Sequence, residues 1–189
     1  MRRVGIIAVL SMLLMAFSAS VALAQVANPH FLPQTGTPSC TISGSGASKT
    51  VVCTGTLAGL GNEDVLITTT VSGFAVYQCQ NQGGNIAPGQ NKVLVGPSVT
   101  PTLISAGEIR NGRLTFTTNA NTLSAPTTVT AAQAGCPNAN WTGVNPTVTV
   151  TSVTLTVEQP VGNLILTCTK SNPNGLSSFK FAASECTFT

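Results

Sequence analysis

An all-β chain, folded as an antiparallel two-sheet sandwich of immunoglobulin-like type and held by disulfides, is the architecture this sequence predicts. Three observations predict it. Apolar and polar residues alternate with a period of two in one segment after another. No window of a dozen residues keeps the i, i+3, i+4 apolar stripe of a helix. Gly- and Asn-rich turn sequences separate the alternating runs at short spacing. β-branched Val and Thr dominate those runs, whereas the helix-favouring Glu, Lys and Leu are sparse.

The chain opens with a segment outside the predicted fold. Met1-Arg2-Arg3 is a positively charged start, Val4 to Phe17 is almost wholly apolar, and Ala22-Leu23-Ala24 is a small-residue cleavage site. That order predicts a secretory signal peptide over residues 1–24, cleaved after Ala24. The apolar run falls short of the roughly 20 residues a membrane span needs. "RRVGII" keeps too little of the twin-arginine pattern to favour that route. Residues 25–39, "QVANPHFLPQTGTPS", carry three prolines and no periodicity, which predicts a flexible tail. Residues 40–189 are then one sandwich domain. No later stretch is long and apolar enough to span, so no membrane insertion is expected after cleavage, and the expected location is extracellular or at the cell surface.

The predicted strands follow in order. "KTVVCTGTLA" sets Val51, Cys53 and Leu57 on one face, and "DVLITTTV" aligns Val65, Ile67 and Val71. "GFAVYQC" aligns Ala75, Tyr77 and Cys79, "GRLTFTT" aligns Leu114 with Phe116, and "NLILTCTK" aligns Leu164, Leu166 and Cys168. Eight to ten strands and no substantial helix are expected. Turn chemistry supports them: Asn111-Gly112 and Asn174-Gly175 tolerate the positive φ of a type I′ turn, and Ala58 to Asp64 is a Gly-rich connection. One run contains a fault. In "TVTVTSVTLTVE" (residues 147–158) the apolar face sits on Val148 and Val150, then moves to Val153, Leu155 and Val157. A regular strand cannot change face, so a β-bulge near Thr151-Ser152, or a crossing between sheets, is expected.

Six cysteines, Cys40, Cys53, Cys79, Cys136, Cys168 and Cys186, all follow the cleavage site. An even number on an exported chain predicts three disulfides. The rival zinc site lacks a CxxC pair and has one histidine, His30, in the predicted tail. A hairpin centred on "GSGAS" would place Cys40 opposite Cys53. Cys168 and Cys186 fit less cleanly, because a hairpin at Asn174-Gly175 puts Cys168 opposite Phe181; they join if the last segment curves back. Cys79 and Cys136 would then close the longest loop.

Composition narrows the functional classes. Only 7% of residues are charged, and the net charge of +3 loses two units with Arg2 and Arg3. The remaining charges are scattered and nearly balanced, which offers no nucleic-acid footprint and no polybasic membrane patch. Hydrolytic chemistry would have to rest on His30 and on Asp64, the sole aspartate, with no Gly-x-Ser-x-Gly elbow. Glu63 and Asp64 are adjacent on a strand start and point apart, while Glu108, Glu158 and Glu185 are isolated, so no glycosidase pair is evident. No calcium loop or phosphate-cradling glycine loop occurs. The expectation is no enzyme, no cofactor and no metal.

Two features remain. Thr-x-Thr runs at 115–118, 147–151 and 154–156 suggest threonine ladders, which order water on ice-binding β-solenoids. A solenoid needs a fixed repeat and none is present, so these threonines read as a sandwich's solvent face. The other feature is "YQCQNQGGNIAPGQNK" (residues 77–92), rich in amides around Cys79, with "CPNANWTG" around Cys136. Within it, Asn140-Trp141-Thr142 has the form of a glycosylation sequon. A Cys79–Cys136 bridge would gather Tyr77, Gln80, Asn81, Asn85, Asn91, Asn138, Asn140 and Trp141. Aromatics with amides and no charge suit neutral sugars and peptide backbones. The competing reading is that Trp141 fills the core and the amides cap turns, with 77–92 a long loop tethered by its cysteine.

The combination of "CTGTLAGLGNEDV", "YQCQNQGGNIAPGQNK" and "AGCPNANWT" behind a signal sequence resembles small secreted hypothetical β-sandwich proteins of Gram-positive-type soil bacteria, over most of the mature chain. The resemblance implies export and a disulfide-stapled domain, and carries over no site and no activity. The expected role is an extracellular structural or interaction module whose partner is a protein or glycan. The alternatives are carbohydrate or peptide binding through the Asn/Gln-rich stretch and Trp141, or protease inhibition by the 77–92 loop.

Overall fold

The computed structural model describes residues 28–173 and 175–189. The expected signal peptide, the start of the expected tail and Asn174 lie outside the described residues. Two antiparallel sheets face each other. In the first, β3 (Ser48–Ala58) is central. β1 (His30–Phe31) and β2 (Ser39–Ser43) line one of its edges, and β11 (Ser178–Lys180) lies beyond β2. β6 (Leu114–Thr117) and β7 (Asn121–Ser124) line the other edge. The second sheet runs β5 (Ile86–Ile104), β4 (Val65–Gln80), β9 (Thr142–Glu158), β10 (Leu164–Ser171), β12 (Cys186–Phe188). β8 (Val129–Thr130) pairs with the start of β9 and leads into one turn of helix, α1 (Ala131–Ala134).

The period-two pattern determines the core. Val65, Ile67, Val71, Ala75, Tyr77 and Cys79 of β4 are buried with Val51, Cys53 and Leu57 of β3 and Leu114 and Phe116 of β6. On β9 the buried set is Val148 and Val150, then Val153, Leu155 and Val157. The expected bulge explains the change of face: Ser72 pairs with Ser152 while Gly73 pairs with Val150, which leaves Thr151 as the extra residue. β5 bulges at the same level, because Val71 pairs with Ser98 and Gly73 with Val95, so Gly96 and Pro97 together stand opposite Ser72. Gly73 sits between the two bulges, and a Cβ on it would lie 2.1 Å from Thr149 O. Asn121 is fully buried, and its Nδ2 donates to the carbonyls of Thr69 (2.6 Å) and Ser98 (3.0 Å), tying β7 of the first sheet to β4 and β5 of the second.

All three disulfides join the expected partners: Cys40–Cys53, Cys79–Cys136 and Cys168–Cys186. Cys40 is the register partner of Cys53, and Cys168 of Cys186. The last segment does curve back. After β10 the chain crosses to the first sheet as β11, where Phe179 pairs with Cys40, and then returns as β12.

Four expectations need correction. Residues 30–31 of the expected flexible tail form β1 on Leu57 and Ala58, and Phe31 packs on Phe188 with ring centroids 4.8 Å apart. Apolar side chains that can be covered hold this Pro-rich segment in place. Leu164 does not share the core face of Leu166 and Cys168. A register shift at Ile165 turns Ile165 inward and leaves Leu164 exposed. The strands number twelve among the described residues, because two- and three-residue pairings such as β1, β8, β11 and β12 carry too little alternation to be read. Finally, 77–92 is not a long loop. It is strand, turn and strand, with only residues 81–85 outside β4 and β5.

Candidate functional site

The hairpin tip of β4 and β5 is built by its own amides. Asn81 Oδ1 accepts the N–H groups of Gly83 and Asn85, each at 2.9 Å, and Asn81 N–H donates to Asn85 O at 3.1 Å. Gly84 closes the turn with φ of 80°. Across the tip, Cys79–Cys136 pins the end of α1 to β4. A capping box on Thr130 and Gln133 starts α1, and Gly135 ends it in the left-handed conformation that glycine adopts without a Cβ clash.

The disulfide brings the two predicted amide stretches into one neighbourhood, but their side chains are largely committed. Tyr77 is buried and its hydroxyl donates to Pro126 O at 2.8 Å. Burial lifts its phenol above the usual range. Trp141 is half-buried against the core. Asn91 Nδ2 donates to Ala132 O at 3.0 Å, and Asn138 Oδ1 accepts Asn140 N–H at 3.0 Å. Gln80 is exposed and sits in register with Thr142 and Ile86. Asn85 and Asn140 are exposed and take part in these turns through their backbone N–H groups. The arrangement therefore has the form of the competing reading: amides cap turns and both aromatics face inward.

An open groove of about 750 Å³ lies on the other side of Tyr77. A second pair of bulges opens it. Between Val76 and Gln78 of β4, β5 inserts Gly89 to Asn91 and β9 inserts Asn145-Pro146. Gly89 is required there, since a Cβ would lie 2.5 Å from Tyr77 O and 2.6 Å from Ala134 O. Val76, Ile86 and Pro88 line its floor, and Asn145 to Thr147 with Gly46 and Ala47 of the β2–β3 turn line its sides. Asn145, held at φ of 51°, donates from Nδ2 to Gln78 Oε1 at 2.9 Å. This leaves the pair a free amide oxygen and free amide N–H groups at the groove's margin. No charged residue lines the groove. Val76 and Ile86 are 36% and 47% exposed, so the groove offers water an apolar floor beside paired amides.

Sequence reasoning found Tyr77 of this groove and missed Gln78, Ile86, Asn145 and Pro146. A usable signal was present: Pro146 and Pro88-Gly89 interrupt alternating runs, and proline inside a strand marks a bulge or an edge.

Four of the titratable groups are used locally. His30 Nδ1 lies 2.8 Å from Asn28 O, Asp64 accepts Ala106 N–H at 2.9 Å, and Glu158 accepts Gly162 N–H at 2.7 Å. Glu185 pairs with Lys170 at 2.9 Å and accepts Ala182 N–H. The Lys170 hydrogen bond, the backbone N–H and the Lys170 charge together hold its carboxyl below the usual range. Among the described residues no group of three or more His, Cys, Asp or Glu side chains is placed to hold a metal ion, and no helix is long and apolar enough to cross a membrane. Comparison with known proteins finds no matching family model, no matching curated protein and no matching solved structure.

Proposed function

We propose that this chain is an exported, non-enzymatic, immunoglobulin-like β-sandwich that serves as an extracellular interaction module and takes a neutral ligand, a glycan or an extended peptide, in the groove beside Tyr77. The uncharged groove carries this reading. Its exposed apolar floor and the Gln78–Asn145 amide pair suit a partner that has hydrogen-bonding groups and no formal charge. Three disulfides with no free cysteine among the described residues fit an oxidising setting. The protease-inhibitor alternative draws less support, because most of 77–92 is paired and its turn is five residues long.

Screening the purified mature protein against glycan and peptide arrays tests the reading. Retention of a neutral ligand, lost on Ile86→Glu and weakened by Asn145→Ala, is the expected result. Retention of nothing, or retention that Ile86→Glu leaves intact while Trp141→Ala abolishes it, would move the site or remove it. N-terminal sequencing of protein exported by a bacterial host, expected to begin at Gln25, tests the location separately.

A further inference from the structure

The threonine runs have no repeat in the sequence, yet the sheet makes them periodic. On the outer face of the second sheet, Thr68 of β4 pairs with Thr156 of β9, which pairs with Thr167 of β10. One step along, Thr70, Thr154 and Thr169 are in register, and one step further Ser72, Ser152 and Ser171. Three strands thus carry a three-by-three grid of hydroxyls, and Thr187 of β12 extends the first row. Their chain neighbours Ile67, Val71, Val153, Leu155, Val157, Leu166 and Cys168 are buried, so the grid faces outward, half-buried to exposed.

β geometry sets the two repeats of this grid: about 4.8 Å between strands and about 7 Å between alternate residues along a strand. None of the nine residues is charged. Thr154 and Thr169 share a hydrogen bond at 3.3 Å, which holds neighbouring rotamers together. Each threonine also sets a methyl beside its hydroxyl.

We propose that this face binds ice. A flexible soluble polymer needs only a line of contacts and usually an aromatic platform. A grid periodic in two directions matches a partner that is itself periodic in two directions, carries hydrogen-bonding oxygens and has no charge. The prism faces of ice are such a partner, with oxygen repeats close to both spacings of the grid. Regularity here comes from cross-strand register instead of a sequence repeat, so a solenoid is not required. The grid is small, and strands twist by roughly 20° from one to the next. The activity it supports is therefore restraint of ice recrystallisation and faceting of small crystals, with little depression of the freezing point.

Ice recrystallisation and crystal-habit assays on the oxidised mature protein test this. Thr154→Tyr, at the centre of the grid, is expected to abolish both effects at an unchanged melting temperature. Thr169→Lys, at the exposed margin, gives a second reading if Thr154→Tyr melts early. Thr117→Tyr, on the outer face of the opposite sheet, is expected to retain activity. Folded wild-type protein that leaves crystals round and coarsening, or a Thr154→Tyr variant as active as wild type, overturns the proposal.

Discussion

Removing the Cys79–Cys136 bridge should cost more stability than removing either of the others, and the amount follows from the chain. In the loop-closure account a cross-link stabilises by restricting the unfolded state, more for a longer loop. The bridge spans a separation of 57 residues, against 13 for Cys40–Cys53 and 18 for Cys168–Cys186. At 25 °C those lengths correspond to about 4 kcal/mol for the long loop and about 3 kcal/mol for each short one. No loop encloses another, so each removal acts independently. The comparison of choice sets Cys79→Ala/Cys136→Ala against Cys40→Ala/Cys53→Ala. Three of the four sulfurs are buried in the core and Cys136 is half-buried, so part of the packing loss cancels and a difference of about 1 kcal/mol remains. Urea unfolding followed by the fluorescence of Trp141 measures it. The m value should rise in both variants, since the freed unfolded chain exposes more surface. A short-loop variant less stable than the long-loop variant would refute the reasoning. So would equal losses with unequal m values, because the cost would then reside in the native packing.

Three further outcomes are expected. Gly73→Ala should destabilise by about 3 kcal/mol, because its Cβ would meet Thr149 O at 2.1 Å in backbone flanked by two bulges; a melting curve like that of wild type would count against this geometry. Tyr77, the one tyrosine of the chain, should form phenolate above the usual pH of about 10, as read by absorbance. Its folded pKa is raised, so its contribution to stability is complete below the unfolded value and is lost as pH climbs through the folded one. Glu185→Gln should cost less than about 1 kcal/mol near neutral pH, since its pair with Lys170 is partly exposed. Glu185 has a depressed folded pKa, so wild type holds this increment above the unfolded carboxyl pKa of about 4.3 and loses it as pH falls below that; acid titration of stability should therefore be flatter in the variant.

Where burial is one-sided, alternation alone made the fold readable. Val65 to Val71 and Val153 to Val157 face the core as their period requires, and the phase change at Thr151 located a bulge because every residue beyond it changes face. The Cys40–Cys53 bridge followed from the hairpin at Gly44 to Ser48, whereas the other two depended on whether the last segment curved back. What the sequence concealed depends on pairing between distant segments. The crossing of β10 to β11 is decided by Phe179 and Phe181 finding cover in the first sheet, and no local signal in residues 172–178 reports that cover. The candidate groove was concealed for the same reason, since it needs Gly89 and Pro146 to bulge on opposite sides of Tyr77. The amides of 77–92 attracted attention by their number, yet Asn81 and Asn91 are spent on backbone N–H and C=O groups.

Each covalent bridge lies within one sheet or its own margin. Cys40–Cys53 joins β2 to β3, Cys168–Cys186 joins β10 to β12, and Cys79–Cys136 ties α1 and β8 to the sheet that carries β4 and β9. No sulfur strap crosses the interior from one sheet to the other. The molecule resembles a book with reinforced covers and an unglued spine. Under tension, pressure or a detergent that enters the core, the covers would part before either tore. Closing again would need the return of apolar contact and of the Asn121 hydrogen bonds to Thr69 and Ser98.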